Sequence, residues 1–258
     1  MQRVTIVGVG GVGSNLADWV ARYLESRGEG DVLTLVDGDI FEDKNRSRQA
    51  FDRLGKKAEV VAAMLAARYP SLEIQVVADY LSPENADFVI FDGDIVLAAV
   101  DNHKSRKLLA DIAASRSDLS LISGGNELTD GDVFIHLRRN GADLTPPLTQ
   151  NHPELIRPAD RAPFEMSCEE LAAAGAPQIF FANLGVALIM AWALWRLLER
   201  PETVAALETV TESYFDIVLG CIVSRRISAR PMNGQSENPA EPKKEESDGR
   251  GTEEVSQV

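Results

Sequence analysis

Cysteine is nearly absent from this chain: Cys168 and Cys221 are the only two in 258 residues. Two thiols exclude a disulfide scaffold and a zinc site built on four thiolates. Three histidines leave little for a His-rich metal centre. Basic charge is also short, with 26 Lys and Arg against 40 Asp and Glu and a formal net charge of −14. Binding a nucleic-acid backbone needs cations that displace counterions, and an anionic lipid surface attracts the same residues, so neither partner is expected. The N-terminus lacks the basic segment, apolar run and small-residue cleavage site of a signal peptide, and the expected location is the cytoplasm. What is abundant is apolar residue, 45% of a chain long enough for one large or two small domains.

The charge is uneven. From Met232 to Val258 there are seven acidic and three basic residues, a net −4, among Pro, Gly and Ser. Such a segment cannot bury enough apolar area to offset its ordering entropy, so 231–258 reads as a disordered acidic tail and 1–230 as the folded domain.

Periodicity organises the domain. Residues 3–9 alternate and run into glycine. Residues 14–26 place Leu16, Trp19, Val20, Tyr23 and Leu24 at helical spacing, closed by Gly28 and Gly30, and 31–37 form a second strand ending on Asp37. A polar loop is expected over 38–54, a helix over 56–69 stopped by Pro70, strands over 72–77, 94–100 and 119–123, and a helix over 103–116. Alternating strands and helices predict a doubly wound α/β fold, a mainly parallel Rossmann-like sheet with helices on both faces. The pattern then changes to a strand over 132–138, an irregular crossover loop over 139–166 with five prolines, a helix over 202–212 and an antiparallel C-terminal strand over 214–227. Between them, Ile179 to Trp195 contains no charge for seventeen residues, at the short edge of a membrane span. Asn183 and Gly185 inside it and Arg196 after it favour a helix, 178–198, buried in a core or an interface.

The glycines carry the first chemical signal. GVGGVGS, residues 8–14, follows a strand and opens a helix. Gly8 permits the tight turn, Gly10 and Gly11 let backbone approach a phosphate, and Gly13 lets helix and strand pack closely. The free N–H groups and dipole of the helix start favour an anion. Asp37 stands 24 residues beyond Gly13, where a carboxylate accepts from ribose hydroxyls. Glycines and Asp37 indicate an adenine nucleotide without saying which, and an NAD- or FAD-dependent oxidoreductase remains the alternative. Arg46, Arg48, Lys56 and Lys57 add four cations near the same strand end. A triphosphate and its leaving pyrophosphate need such neutralisation more than a dinucleotide does, although four cations also suit a solvated loop. The next strand ends on Asp101, which could hold Mg²⁺ beside phosphate oxygens, while Asn102 reads equally as a plain helix cap.

In order and spacing, GVGGVGS, Asp37-x-Asp39, Asn45-x-x-Arg48-Gln49, Lys57-Ala58-Glu59 and Asp101-Asn102-x-x-x-Arg106 resemble the ThiF/MoeB family, the fold shared with ubiquitin-activating enzymes. The resemblance covers roughly residues 2–230 and extends to SLISGGNELTDGDVFIH, 120–136. It implies ATP- and Mg²⁺-dependent adenylylation of the C-terminal glycine of a small β-grasp, ubiquitin-like or sulfur-carrier-like protein. By matching position, Asp37 would bind ribose, and Asn45, Arg48 and Lys57 the phosphates, with Arg48 and Lys57 stabilising the charged transition state. Asp101 would support Mg²⁺, and Gly8, Gly10, Gly11, Gly13, Ser14, Asp39, Gln49, Asn102 and Arg106 would complete the nucleotide site. A homodimer and a conjugating-enzyme-like partner are further implications.

Departures sharpen this. Relatives carry an N-terminal arginine that reaches a partner's active site, and Arg3, at the start of the first strand, stands in the wrong place for it. Relatives often hold zinc with two Cys-x-x-Cys pairs, which this chain lacks, so no zinc is expected. Lys57 rather than Lys56 is assigned by the Lys-Ala-Glu match. Cys168 follows Ser167 in SCEE, a capping-box pattern that makes it the first helical residue. The helix dipole there lowers a thiol's pKa, and family members carry an acyl-accepting thiol after this crossover, so Cys168 is the candidate catalytic thiol for a thioester. Glu169 and Glu170 oppose its ionisation, and a small residue starting a helix remains the alternative. Cys221, in IVLGCIV, is expected to be buried packing.

Overall fold

The computed structural model describes residues 1–41, 53–166, 179–202 and 210–227. The predicted tail, Arg46, the Asn45-x-x-Arg48-Gln49 motif and Cys168 lie outside them.

Strand β1 (Arg3–Val7), helix α1 (Gly11–Arg27) and strand β2 (Val32–Val36) form the opening unit. Five consecutive apolar or β-branched residues make β2, and all five are buried, as a central parallel strand requires. Gly28 ends α1 in the left-handed conformation, φ 66°, which costs a glycine no steric strain. A ribbon follows, β3 (Ile40–Phe41) inside the predicted polar loop and β4 (Gly55–Lys56) just after it, where the predicted helix begins one residue early. Its two short strands carry no apolar alternation that would have announced them.

Helix α2 (Lys57–Arg68), strand β5 (Glu73–Val77), the single turn α3 (Ala86–Val89), strand β6 (Ile95–Ala98), helix α4 (His103–Ser115) and strand β7 (Leu119–Asn126) complete the alternating half. Strand β8 (Asp130–Arg139) returns antiparallel on β7, and the short β9 (Ala142–Asp143) pairs with β8. Helix α5 (Leu148–Asn151) and two short 3₁₀ turns occupy the stretch expected to be irregular. Helix α6 (Phe180–Glu199) then leads to β10 (Glu212–Asp216) and β11 (Cys221–Arg225).

The sheet order is β11-β10-β8-β7-β6-β1-β2-β5. From β5 to β7 the strands are parallel, and β8, β10 and β11 extend them antiparallel. The expected mainly parallel sheet with an antiparallel C-terminal extension is therefore what the chain forms. Helices cover both faces. α1, α2 and α6 enclose one core with Leu16, Leu33, Leu65 and Met190, and α3, α4 and α5 enclose the other with Val36, Ile90, Leu109 and Leu121.

Three expectations need correction. The run 214–227 is two strands around a turn: Gly220 takes φ 63°, and Asp216 Oδ1 accepts from the backbone N–H groups of Val218 and Leu219. The second segment, 202–212, does not stay helical to its end, because Glu212 already pairs with Phe134 of β8. Cys221 is exposed, not buried. Strand β11 lies at the sheet margin and all five of its residues are exposed, so an apolar sequence there finds no helix to cover it among the described residues.

Helix α6, which holds the charge-free run, packs as a core element on α1, β7 and β8. By length and composition it could cross a membrane, yet half of its most apolar stretch is buried inside the fold. Gly185 lets it seat on Phe215 of β10, where a Cβ would stand 2.8 Å from the ring. Its outer side is not covered: Phe181, Trp192 and Trp195 are 69%, 50% and 44% exposed.

Candidate nucleotide site

Strands β1, β2 and β6 end together: Val7 pairs with Val36 on one side and Ala98 on the other. After β1 the chain goes on to pair with β2, and later to pair on its opposite flank with β6. This is the crevice where open α/β sheets bind ligands, outside the carboxyl ends of the strands. Gly8, Asp37 and Asp101 all fall at that edge.

The glycine-rich turn is tightly built. Gly8 has φ 88° and donates its N–H to Val36 O at 2.9 Å. A Cβ at Gly13 would lie 1.9 Å from Gly8 O, so helix and turn touch through backbone. Gly10 caps α1 without a side-chain hydrogen bond, and no acidic residue lies in the first turn. The N–H groups of Gly11, Val12 and Gly13 thus have neither an intrahelical partner nor a neutralising carboxylate, which leaves the helix start suited to an anion. Ser14 is already committed, its hydroxyl donating to Gly10 O at 2.6 Å.

Asp37 does more than stand at a strand end. Its Oδ2 accepts from Val9 N at 2.6 Å and its Oδ1 from Asp39 N at 2.8 Å. Burial pushes its carboxyl above the usual carboxylate range, opposed by the nearby Lys57 ammonium and the two backbone donors. Each oxygen keeps a further lone pair for a hydroxyl donor. Lys57 is buried, with Nζ 2.7 Å from Asp39 Oδ2, and its backbone N–H donates to Asp39 O at 2.9 Å. Lys56 is exposed and turns away, donating to Ala78 O at 3.0 Å. Of the two lysines, Lys57 faces the carboxylates.

Asp101 is exposed beyond β6. Asn102 is the N-cap of α4, its Oδ1 accepting from Ser105 N at 2.7 Å, the structural alternative that the sequence left open. Arg106 straps strand ends: its guanidinium donates to Val100 O, with Nη2 at 3.2 Å, and to Gly124 O at 3.4 Å. Gly125 leaves room for it, since a Cβ there would fall 1.8 Å from Nη2. No cluster of three or more His, Cys, Asp or Glu able to hold a metal occurs among the described residues. A Mg²⁺ carried by phosphates needs only one or two protein carboxylates, which Asp101 fits. Arg3 lies at the opposite edge, bonded to Asp94 at 3.1 Å and stacked over Phe91.

Two residues at the site carried no sequence signal that tied them to it. The Tyr80 hydroxyl donates to Asp39 Oδ1, and its ring packs so close to Gly38 that a Cβ there would meet it at 2.7 Å. Asn183, buried in the first turn of α6, abuts Gly11. Neither residue belongs to a spaced motif, and only the fold brings each to the turn.

The model of the family described as ThiF family matches residues 1–222. An adenylyltransferase and sulfurtransferase MOCS3 of Drosophila sechellia is 37% identical over 142 residues, 54% of this chain and 30% of that protein. A tRNA threonylcarbamoyladenosine dehydratase of Haemophilus influenzae is 32% identical over 49% of each chain. A SAMP-activating enzyme E1 of Haloferax volcanii is 34% identical over 43% of this chain and 40% of that one. The chain thus spans half or less of the length of these curated relatives. The crystal structure of E. coli MccB shares the fold, with a TM-score of 0.64 at 17% identity over 93% of this chain and 68% of that one.

Proposed function

The chain belongs to the ThiF family, and from that premise we propose that it is an ATP-dependent adenylyltransferase acting on the C-terminal glycine of a ubiquitin-like or sulfur-carrier-like protein. The observation that carries this reading is the meeting of an uncapped helix start, the Asp37–Asp39–Lys57 cluster and Asp101 at the ends of three adjacent strands. Two relatives named for adenylyltransferase and SAMP-activating work support the substrate class.

In this reading the turn Gly8–Ser14 receives the phosphates through backbone N–H groups, and Asp37 accepts from the ribose. The substrate carboxylate oxygen attacks the α-phosphorus, the bond from that phosphorus to the bridging oxygen breaks, and pyrophosphate leaves with its electron pair. A carboxylate is a weak nucleophile, so catalysis rests on alignment and on cations facing the developing charge. Lys57 supplies one such cation, held ready by Asp39, and Arg48 the other by its motif position, with Asn45 and Gln49 beside it. Asp101 would hold Mg²⁺, which screens the phosphate charge when bound. Arg106 and Asn102 keep the β6 end and the α4 start in place.

Three finer elements complete the proposal. The acyl group passes to Cys168 when the thiolate attacks the acyl carbon and AMP leaves, giving a thioester that a conjugating-enzyme-like partner takes up. The protein works in the cytoplasm. It is a homodimer through the outer face of α6, whose Phe181, Leu188, Trp192 and Trp195 recur at steps of seven, four and three residues.

ATP–pyrophosphate exchange tests the reaction. Exchange is expected only with a β-grasp protein that ends in a free glycine, and is lost in Arg48→Ala. No exchange with any such protein, or wild-type exchange in Arg48→Ala, would sink it. Titration with NAD(H) in place of ATP is expected to give no binding. For the thiol, a conjugate sensitive to reducing thiols must vanish in Cys168→Ala.

A further inference from the structure

Asn183 is 0% exposed, and neither its Nδ2 nor its Oδ1 has a hydrogen-bond partner. A buried amide left unpaired costs free energy that an apolar residue of the same shape avoids. Its helix neighbours Ala182, Val186, Ala187 and Met190 are all apolar and fully buried, so packing alone calls for leucine here. Each buried orphan polar group in a folded protein needs a reason.

The amide lies against the uncapped start of α1. A Cβ placed on Gly11 would stand 2.3 Å from Asn183 Nδ2, 2.9 Å from its Cγ and 3.3 Å from its Oδ1. The side chain therefore fills the space that a residue other than glycine would occupy, directly behind the first turn of α1. That turn has no capping side chain and no acidic residue. Asn15 Nδ2 and the Ser14 hydroxyl already use the Gly11 and Gly10 carbonyls, at 2.7 Å and 2.6 Å, so the turn's own side chains are spent on its inner bonds.

We infer that Asn183 is a positioning residue for the nucleotide's phosphates: its buried amide, seated in the space behind Gly11, holds that turn in place through its dipole and so fixes the N–H groups that receive the ligand. It acts through the turn and does not touch the nucleotide. The inference rests on the reading of this turn as an ATP site. It also assigns a use to glycine at position 11 distinct from helix–strand packing, which Gly13 serves.

The test compares the wild-type chain with Asn183→Leu, a near-isostere without polar atoms. ATP is titrated by calorimetry, and melting is followed without ligand. The ligand-free midpoint is expected to be unchanged or higher in the variant, while the ATP dissociation constant rises at least tenfold. Equal ATP affinity in the two proteins would overturn the inference and leave the ATP site standing. Absence of ATP binding by the wild type would overturn the site reading and the inference with it. A measurement on the wild type alone covers a variant that fails to fold. The Asn183 side-chain amide resonances should shift, and their exchange with solvent slow, on addition of a non-hydrolysable ATP analogue but not of adenosine. Resonances that stay in place overturn the inference.

Discussion

The two ends of the sheet are built on opposite terms. At the parallel end, the polar side chains of the crevice are mutually engaged: buried Asp37 holds two backbone amides, buried Lys57 holds Asp39, and Tyr80 closes on the same carboxylate. At the antiparallel end, the β10–β11 hairpin presents Val218, Leu219, Ile222 and Val223 to solvent, all more than half exposed. Hydrophobic burial makes the sheet, but at the first end its product is a rigid polar crevice and at the second an uncovered apolar rim. Precision is concentrated where strands are covered on both faces, because only there can an unpaired polar group be made too costly to wander.

Substitutions can break this contrast in order of severity. Gly13→Ala should have the largest effect, since its Cβ would overlap Gly8 O. A loss of about 3 kcal/mol or more is expected, measured by denaturant unfolding, and near-wild-type stability would refute the rigidity of this end. Lys57→Ala should leave the fold in place and lower ATP–pyrophosphate exchange by roughly 10²–10³-fold, as for loss of one charge-stabilising group. Exchange within about twofold of wild type would remove Lys57 from the proposed machinery. On the other side of the contrast, Trp192→Glu with Trp195→Glu should turn the proposed dimer into a monomer in sedimentation with a modest change in melting. An unchanged mass would dismiss α6 as the interface. Leu219→Ser should be smallest, within about 0.5 kcal/mol, and a larger loss would mean that the hairpin tip is covered in solution.

A pH experiment sharpens the same distinction. Burial raises the Asp37 carboxyl in the folded state. The folded chain therefore takes up this proton at a higher pH than the unfolded chain, so the group withdraws stability as pH rises through its folded value and restores it as pH falls. Function should run the other way. Protonation removes acceptor capacity from the oxygens that hold Val9 and Asp39, so ATP affinity should decline on the acid side of neutrality. In Asp37→Asn it should be low throughout and lose that pH dependence. A parallel decline in both proteins would assign the titration elsewhere.

How much of this was legible beforehand divides along the same line. The strand order from Gly8 to Asp101 was readable because β1, β2 and β6 are short apolar runs that each end at a turn holding a glycine or a carboxylate. The sheet places those turns together without further instruction. The hairpin was misread because 214–227 is apolar on both sides of Gly220, and period alone does not say that a strand lies at a margin. Burial of Cys221 was inferred from its neighbours, whereas what decides burial is whether a helix lies overhead, a tertiary fact. Asn102 shows the limit at single residues: a cap and a ligand have the same sequence, and α4 uses the oxygen as a cap. Asn183 stood out only as a polar interruption of an apolar run, and its contact with Gly11 joins positions 172 residues apart.

The Asp37 clamp has a consequence for how ligands add up. One carboxylate touches the amide of Val9, in the turn proposed to receive the phosphates, and also stands where the proposal puts the ribose. If the proposed site is right, the two halves of a nucleotide meet a shared joint rather than separate sockets. A sugar that settles Asp37 stiffens the turn for the phosphate, and a phosphate that settles the turn returns the favour to the sugar. Adenosine and pyrophosphate supplied as separate molecules would each find the joint half-made, so the affinity of the whole exceeds what its fragments foretell.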